Sequence, residues 1–116
     1  MNQMVNSEDI LDRTFSALSD RTRRAILRRL TAGEATVGEL AEPFDMSMPA
    51  ITKHLNVLES AGLIQRQRDG RMKRCTVRPD GLKPAEDWLD AQATFWNDSL
   101  DRLETFLKSE KAGSDA

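Results

Sequence analysis

Apolar positions recur at helical spacing from the start of the chain. Ile10, Leu11, Phe15 and Leu18 follow Ser7-Glu8-Asp9, which reads as a helix start with an N-cap and acids in its first turn. Ser19-Asp20 then caps a second helix with Ala25, Ile26, Leu27 and Leu30 on one face and Arg23, Arg24, Arg28 and Arg29 on the other. Gly33 is a natural stop. Thr36-Val37-Gly38-Glu39 fits a capping box, and Pro43 keeps the helix it opens short. After the turn Phe44-Asp45-Met46, Ser47 caps a further helix with Pro49 in its first turn. Its apolar stripe is Met48, Ile51, Leu55 and Leu58, and Gly62 ends it.

The period then changes. Residues 63–68 lead into Asp69-Gly70, and residues 71–78 follow before Pro79. Asp-Gly between two short extended runs predicts a hairpin. Cys75 and Val77 alternate with Arg74, Thr76 and Arg78, so one face can be buried. From Asp80 or Gly81 a long helix runs to about Lys108, with a 4-3 stripe of Leu89, Ala93, Trp96, Leu100, Leu103 and Leu107 widened by Trp88, Phe95 and Phe106. The fold class expected is mainly α with a small β-hairpin, a winged helix-turn-helix with a long C-terminal dimerisation helix. Its expected divisions are an N-terminal arm (1–7), the winged domain (8–80), the dimerisation helix (81–109) and a disordered tail (110–116).

Composition first points elsewhere. The chain has 116 residues, a net charge of −2 and a pI near 5.4, whereas a DNA-binding domain is expected to be basic. The average hides a pattern. Residues 1–46 are net −2, residues 47–80 net +4 and residues 81–116 net −4. The basic stretch coincides with the second helix of the helix-turn-helix and the hairpin.

Each part of that stretch has a physical use. With Ile51, Leu55 and Leu58 turned inward, Ser47, Pro49, Ala50, Thr52, Lys53 and Asn56 face outward. These side chains are slim enough for a major groove ~12 Å wide, at the positive end of a helix dipole. Ala50 and Thr52 suit thymine methyls, Lys53 suits guanine or phosphate, and Asn56 lies near the limit of base reach. Arg66, Arg68, Arg71, Lys73 and Arg74 gather at the hairpin, where they can straddle a backbone or enter the minor groove. The bland reading of these cations is protection of an edge strand. His54 reads either as a DNA contact or as a locally bonded side chain at the helix edge. Arg23 and Arg24 read as phosphate contacts or as a solvated face. Cys75 reads as a small buried side chain, or as a redox sensor if exposed and of low pKa.

Phe15-Ser16-Ala17-Leu18-Ser19-Asp20-Arg21-Thr22-Arg23-Arg24-Ala25-Ile26-Leu27 resembles the opening signature of the ArsR/SmtB family of winged-helix regulators. Residues 37–41 (VGELA) and 48–64 (MPAITKHLNVLESAGLI) are similar to its later core, and the resemblance covers roughly 9–80. It implies a homodimeric, cytoplasmic transcription factor, usually a repressor on a palindromic operator of double-stranded DNA, with a small-molecule inducer where one exists. The chain is similar to the subgroup lacking the metal-binding cysteines: Thr36 and Gly38 stand at those positions, and the terminal helix has no His. Metal sites need several thiolate or imidazole ligands, and one Cys and one His per chain do not supply them. A Cys75–His54 site shared across a dimer is the only metal reading left, and it is disfavoured; no metal or other cofactor is expected.

The terminal-helix residues Trp88, Leu89, Phe95, Trp96, Leu100, Leu103, Phe106 and Leu107, with Phe15 of the first helix, are expected at a dimer interface. Trp88, Phe95 and Trp96 read alternatively as a ligand pocket. A winged-helix protein-interaction module without DNA binding is the competing function. An enzyme is not expected, since no nucleophile–base pair or glycine-rich phosphate motif is present. No apolar run approaches the ~18 residues of a membrane span, and the N-terminus has no secretory signal pattern.

Overall fold

The computed structural model describes residues 7–114. The elements in order are α1 (Ser7–Leu18), α2 (Arg21–Thr31), β1 (Ala35–Thr36), α3 (Val37–Ala41), α4 (Met48–Ser60), β2 (Ile64–Asp69), β3 (Met72–Val77) and α5 (Lys83–Ser114). The expected arm at 1–7 lies outside the described residues except for Ser7, which begins α1. The chain divides into a compact unit ending at Ala85 and a helical unit from Glu86, a few residues later than the sequence pattern suggests.

The first unit packs Ala17, Ile26, Leu30, Leu40, Ile51, Leu55, Leu58, Leu63, Ile64 and Cys75 into one core, with Ala35 among them. The caps read at Asp20, Thr36 and Ser47 form as expected. Asp20 accepts from the Arg23 N–H at 3.0 Å. Thr36 Oγ1 accepts from the Glu39 N–H while Glu39 Oε1 accepts from the Thr36 N–H, which closes the capping box. Ser47 Oγ accepts from the Ala50 N–H at 3.3 Å. At the far end of α4, the Leu63 N–H reaches Leu58 O and the Gly62 N–H reaches Glu59 O. With Gly62 at φ +76° this is a Schellman stop. It turns the chain sharply, so Leu58 and Leu63 enter the same core.

Four features differ from the sequence pattern. The sheet has three strands in the order β1-β3-β2, because Ala35 and Thr36 pair antiparallel with Cys75 and Arg74. A two-residue strand leaves no periodicity to read; only its partner reveals it. The hairpin loop is Gly70-Arg71 rather than Asp69-Gly70, since Asp69 is still paired with Met72. Gly70 takes φ +65° at the first loop position, as a two-residue loop of this kind requires. Met48 does not join Ile51, Leu55 and Leu58 in the core: it is 48% exposed, being the first residue of α4 and short of the packed turns. Finally, α5 begins at Lys83 and continues to Ser114, so residues 110–114 of the expected tail are helical and only 115–116 fall outside the described residues. No helix of the described residues is long and apolar enough to cross a membrane.

Candidate nucleic-acid interface

α4 lies with Ile51, Leu55 and Leu58 fully buried, which fixes the opposite face. Ser47, Pro49, Lys53 and Asn56 are exposed there, and Ala50 and Thr52 are half-buried. The wing is the β2–β3 hairpin. Met48 and Thr52 of α4, Arg66, Arg71, Met72 and Lys73 of the wing, and residues 36–38 at the α3 start line one concave surface. The leading turns of α4 and the tip of the wing therefore share a face. The exposed thioethers of Met48 and Met72 belong to this face, a placement the sequence pattern does not indicate.

The five wing cations are not equivalent. Arg68, Arg71 and Lys73 are exposed and form no ion pair among the described residues. Arg66 is held: Nη2 donates to Glu59 Oε1 at 2.7 Å and to Asn56 Oδ1 at 2.6 Å, and Nε donates to Glu59 Oε1 at 3.1 Å. The Arg66 guanidinium, with burial acting in the opposite sense, leaves the Glu59 carboxyl below its ordinary range. Arg74 is held as well, by Asp69 Oδ2 at 2.9 Å and Glu34 Oε1 at 3.5 Å. Its pKa rises because the Asp69 carboxylate accepts its hydrogen bond and, with Glu34, favours the charged guanidinium. The expected cluster of five free charges is thus three free charges and two internally paired ones. Glu59 lies outside the hairpin, so hairpin spacing alone could not reveal the Arg66 pair, whereas Asp69, the main partner of Arg74, lies within it.

His54 and Arg23 of α2 are half-buried and bond within the fold. Arg23 Nη1 lies 3.2 Å from His54 Nδ1, and Asp20 Oδ2 lies 3.9 Å from the same nitrogen. The remaining Arg23 donors go to backbone: Nε to Ala17 O at 2.8 Å and Nη2 to Ser16 O at 3.0 Å. Arg24 Nη1 donates to Leu18 O at 2.7 Å. Both donate to carbonyls at the C-terminus of α1, where helical partners are lacking and cations are favoured; Arg24 does so from an exposed face, whereas Arg23 is half-buried. The Asp20 carboxyl is lowered chiefly by the Arg23 backbone N–H it accepts, against a smaller upward effect of burial.

Cys75 is fully buried in the centre of β3, opposite Ala35 on one side and Arg66 on the other. Burial pushes its thiol pKa up, which opposes thiolate chemistry. In the second unit, Leu89, Phe95, Trp96, Leu100, Leu103, Phe106 and Leu107 are all more than half exposed, with Trp96 at 66%. Trp88 and Phe15 are exposed to a lesser degree.

The comparisons agree with this geometry. A family model for a helix-turn-helix domain matches residues 18–67. Over 99 residues the chain is 38% identical to the HTH-type transcriptional regulator Rv2034 of Mycobacterium tuberculosis, covering 85% of this chain and 90% of that relative. The transcriptional repressor SdpR of Bacillus subtilis is 37% identical over 79 residues, covering 68% of this chain and 88% of that protein. A crystal structure of an ArsR family transcriptional regulator matches with a TM-score of 0.75 and 41% identity, over 81% of this chain and 97% of that one. A polar α4 face, a basic wing beside it and this kinship make one conclusion: the chain belongs to the ArsR family of winged helix-turn-helix, DNA-binding transcriptional regulators.

Proposed function

We propose that the chain acts in the cytoplasm as a homodimeric repressor of a pseudo-palindromic operator. One observation carries the reading: the leading turns of α4 and the unpaired wing cations Arg71 and Lys73 line a single concave surface. α4 enters the major groove with Ser47, Pro49, Ala50, Thr52 and Lys53 toward the bases. Arg68, Arg71 and Lys73 take the phosphates or the adjoining minor groove. Repression is the activity that the name of the Bacillus subtilis relative carries, and it is proposed here on that likeness.

The apolar stripe of α5 supports the second half of the proposal. Leu89, Trp96, Leu100, Leu103 and Leu107 recur at a 4-3 spacing along a helix of 32 residues, flanked by charged side chains. A second copy of the same stripe is the natural cover. Such pairing would present two α4 helices to successive major grooves, ~34 Å apart. An inducer would act by favouring a dimer in which that spacing is wrong.

The test starts from a randomised duplex pool. The wild-type chain should enrich a two-fold symmetric sequence, and its affinity should fall steeply with salt through counterion release. Lys53→Ala should weaken binding and relax the base preference. Arg71→Ala should weaken binding of all sequences and make the salt slope shallower by about one for each phosphate no longer neutralised. Leu100→Glu should shift the mass measured by light scattering from dimer to monomer. Variants at Lys53 and Arg71 that both bind like wild type would overturn the contact assignment.

A further inference from the structure

The hairpin pattern groups Arg66 with the DNA-contacting cations, yet its guanidinium points back to α4. Glu59 accepts three hydrogen bonds from this one residue: from the backbone N–H at 3.2 Å, from Nε at 3.1 Å and from Nη2 at 2.7 Å. Nη2 also reaches Asn56 Oδ1 at 2.6 Å. Asn56 and Glu59 are three residues apart and so share one face of α4. Among the described residues, the side-chain hydrogen bonds seen between α4 and the hairpin converge on Arg66.

The position of this contact along the wing gives it leverage. Ile64 and Val77 pair at the base of the hairpin, and Ile64 is buried in the core. Beyond Arg66, β2 is exposed on both faces through Gln67, Arg68 and Asp69. β1 supports β3 only at Cys75 and Arg74, so the tip is a two-stranded ribbon with no further sheet beside it. A strand of six residues spans ~20 Å, and a two-stranded ribbon is marginal alone. A tilt of about 10° at its base would move the tip by about 3 Å, more than a hydrogen bond to phosphate tolerates.

We propose that Glu59–Arg66–Asn56 is a brace that positions the wing relative to α4, so that Arg71 can reach the backbone only while α4 is seated in its groove. Arg66 is on this assignment a positioning residue and not a DNA contact. The inference rests on the DNA-reading role proposed above. It adds that the two contact surfaces act as one body, and that Arg66 is what joins them. Asn56 is part of the same device: its carbonyl oxygen is taken by Arg66, which leaves its amide N–H groups as the side exposed to solvent.

The experiment is a double-mutant cycle on a duplex enriched by the wild-type chain from a randomised pool. In the wild-type background, Arg71→Ala should weaken binding by about tenfold. In an Arg66→Met background the same change should weaken it by less than about twofold, because the wing no longer holds Arg71 on the backbone. Lys53→Ala, on α4 itself, should cost the same factor in both backgrounds. Glu59→Gln, which keeps the shape and removes the charge, serves as the second background, and thermal melts establish that each variant is folded. Exchange of the pair, Glu59→Arg with Arg66→Glu, should restore part of the Arg71 effect. An Arg71→Ala penalty that is equal in all backgrounds overturns the brace. A Lys53→Ala penalty that collapses together with that of Arg71 also overturns it, since a general weakening would then explain both. Failure of the wild-type chain to enrich any sequence is a different result, and overturns the DNA-reading role itself.

Discussion

The Arg23 guanidinium donates to His54 Nδ1 across 3.2 Å, tying α2 to α4. Arginine nitrogens only donate, so in this contact the ring nitrogen accepts, the arrangement that the Nε2–H tautomer provides. Through its other nitrogens Arg23 holds Ala17 O and Ser16 O, so one side chain joins the end of α1, the start of α2 and the middle of α4.

That junction makes Arg23 chiefly a stability residue. Arg23→Ala should lower the free energy of unfolding by about 2 kcal/mol, the scale of hydrogen bonds that involve a charged partner. Urea denaturation at neutral pH measures it, and a loss under about 0.5 kcal/mol would refute the role. Nitrogen-15 NMR of the His54 ring should show the Nε2–H tautomer; the opposite tautomer would contradict the contact.

Glu59 should make stability depend on pH on the acid side. Its carboxyl is held low in the folded chain, first by the Arg66 side-chain hydrogen bond. A depressed folded-state pKa stabilises fully above the unfolded carboxylate range and loses that contribution as pH falls through the folded value. Glu59→Gln should therefore destabilise at pH 7 and lose its penalty as pH drops below about 4. Since the Glu59 side chain is 38% exposed, solvent screening limits the effect to below about 1 kcal/mol. Denaturation curves at the two pH values decide it, and a penalty independent of pH would count against the assignment.

Cys75 should behave as a core atom and not as a sensor. It is fully buried and its pKa is raised by that burial. A thiol reagent should label it in denaturant and leave it largely unmodified in the folded chain. Rapid stoichiometric labelling under native conditions would restore the sensor reading. Cys75→Ser should cost about 1–3 kcal/mol, because the hydroxyl would be buried among apolar neighbours.

Gly81 is needed for space just before α5. A Cβ there would lie 2.5 Å from Gly62 O, 3.1 Å from Leu63 Cα and 3.2 Å from Arg78 O. All three are backbone atoms and cannot swing aside, so Gly81→Ala should destabilise by about 1–3 kcal/mol. Gly38→Ala meets only Thr36 Oγ1 at 4.0 Å and provides the tolerated control. Equal melting temperatures for the two variants would show that the chain relaxes around the added methyl.

Much of this molecule is legible in its sequence because the signals are local. Caps at Asp20, Thr36 and Ser47, the stop at Gly62 and the helical spacing of Ile51, Leu55 and Leu58 each act over a few residues, and each forms where its pattern lies. The basic stretch of 47–80 is likewise visible in the sequence despite a net charge of −2, and it is the face proposed to read DNA. Tertiary structure decides which of those charges are available. Arg66 and Arg74 look like Arg68 and Arg71 along the chain. They differ because Glu59 of α4 reaches Arg66 in space, and because Asp69 across the hairpin, with Glu34 before β1 at longer range, reaches Arg74. The same holds for β1, which exists only through its pairing with Cys75 and Arg74, and for Arg23, whose carbonyl partners are on another helix. Periodicity and capping are properties of neighbours in sequence, whereas desolvation and ion pairing depend on neighbours in space. The sequence alone therefore marked the basic stretch proposed to read DNA, and only the fold separated its unpaired cations from those paired with acidic side chains.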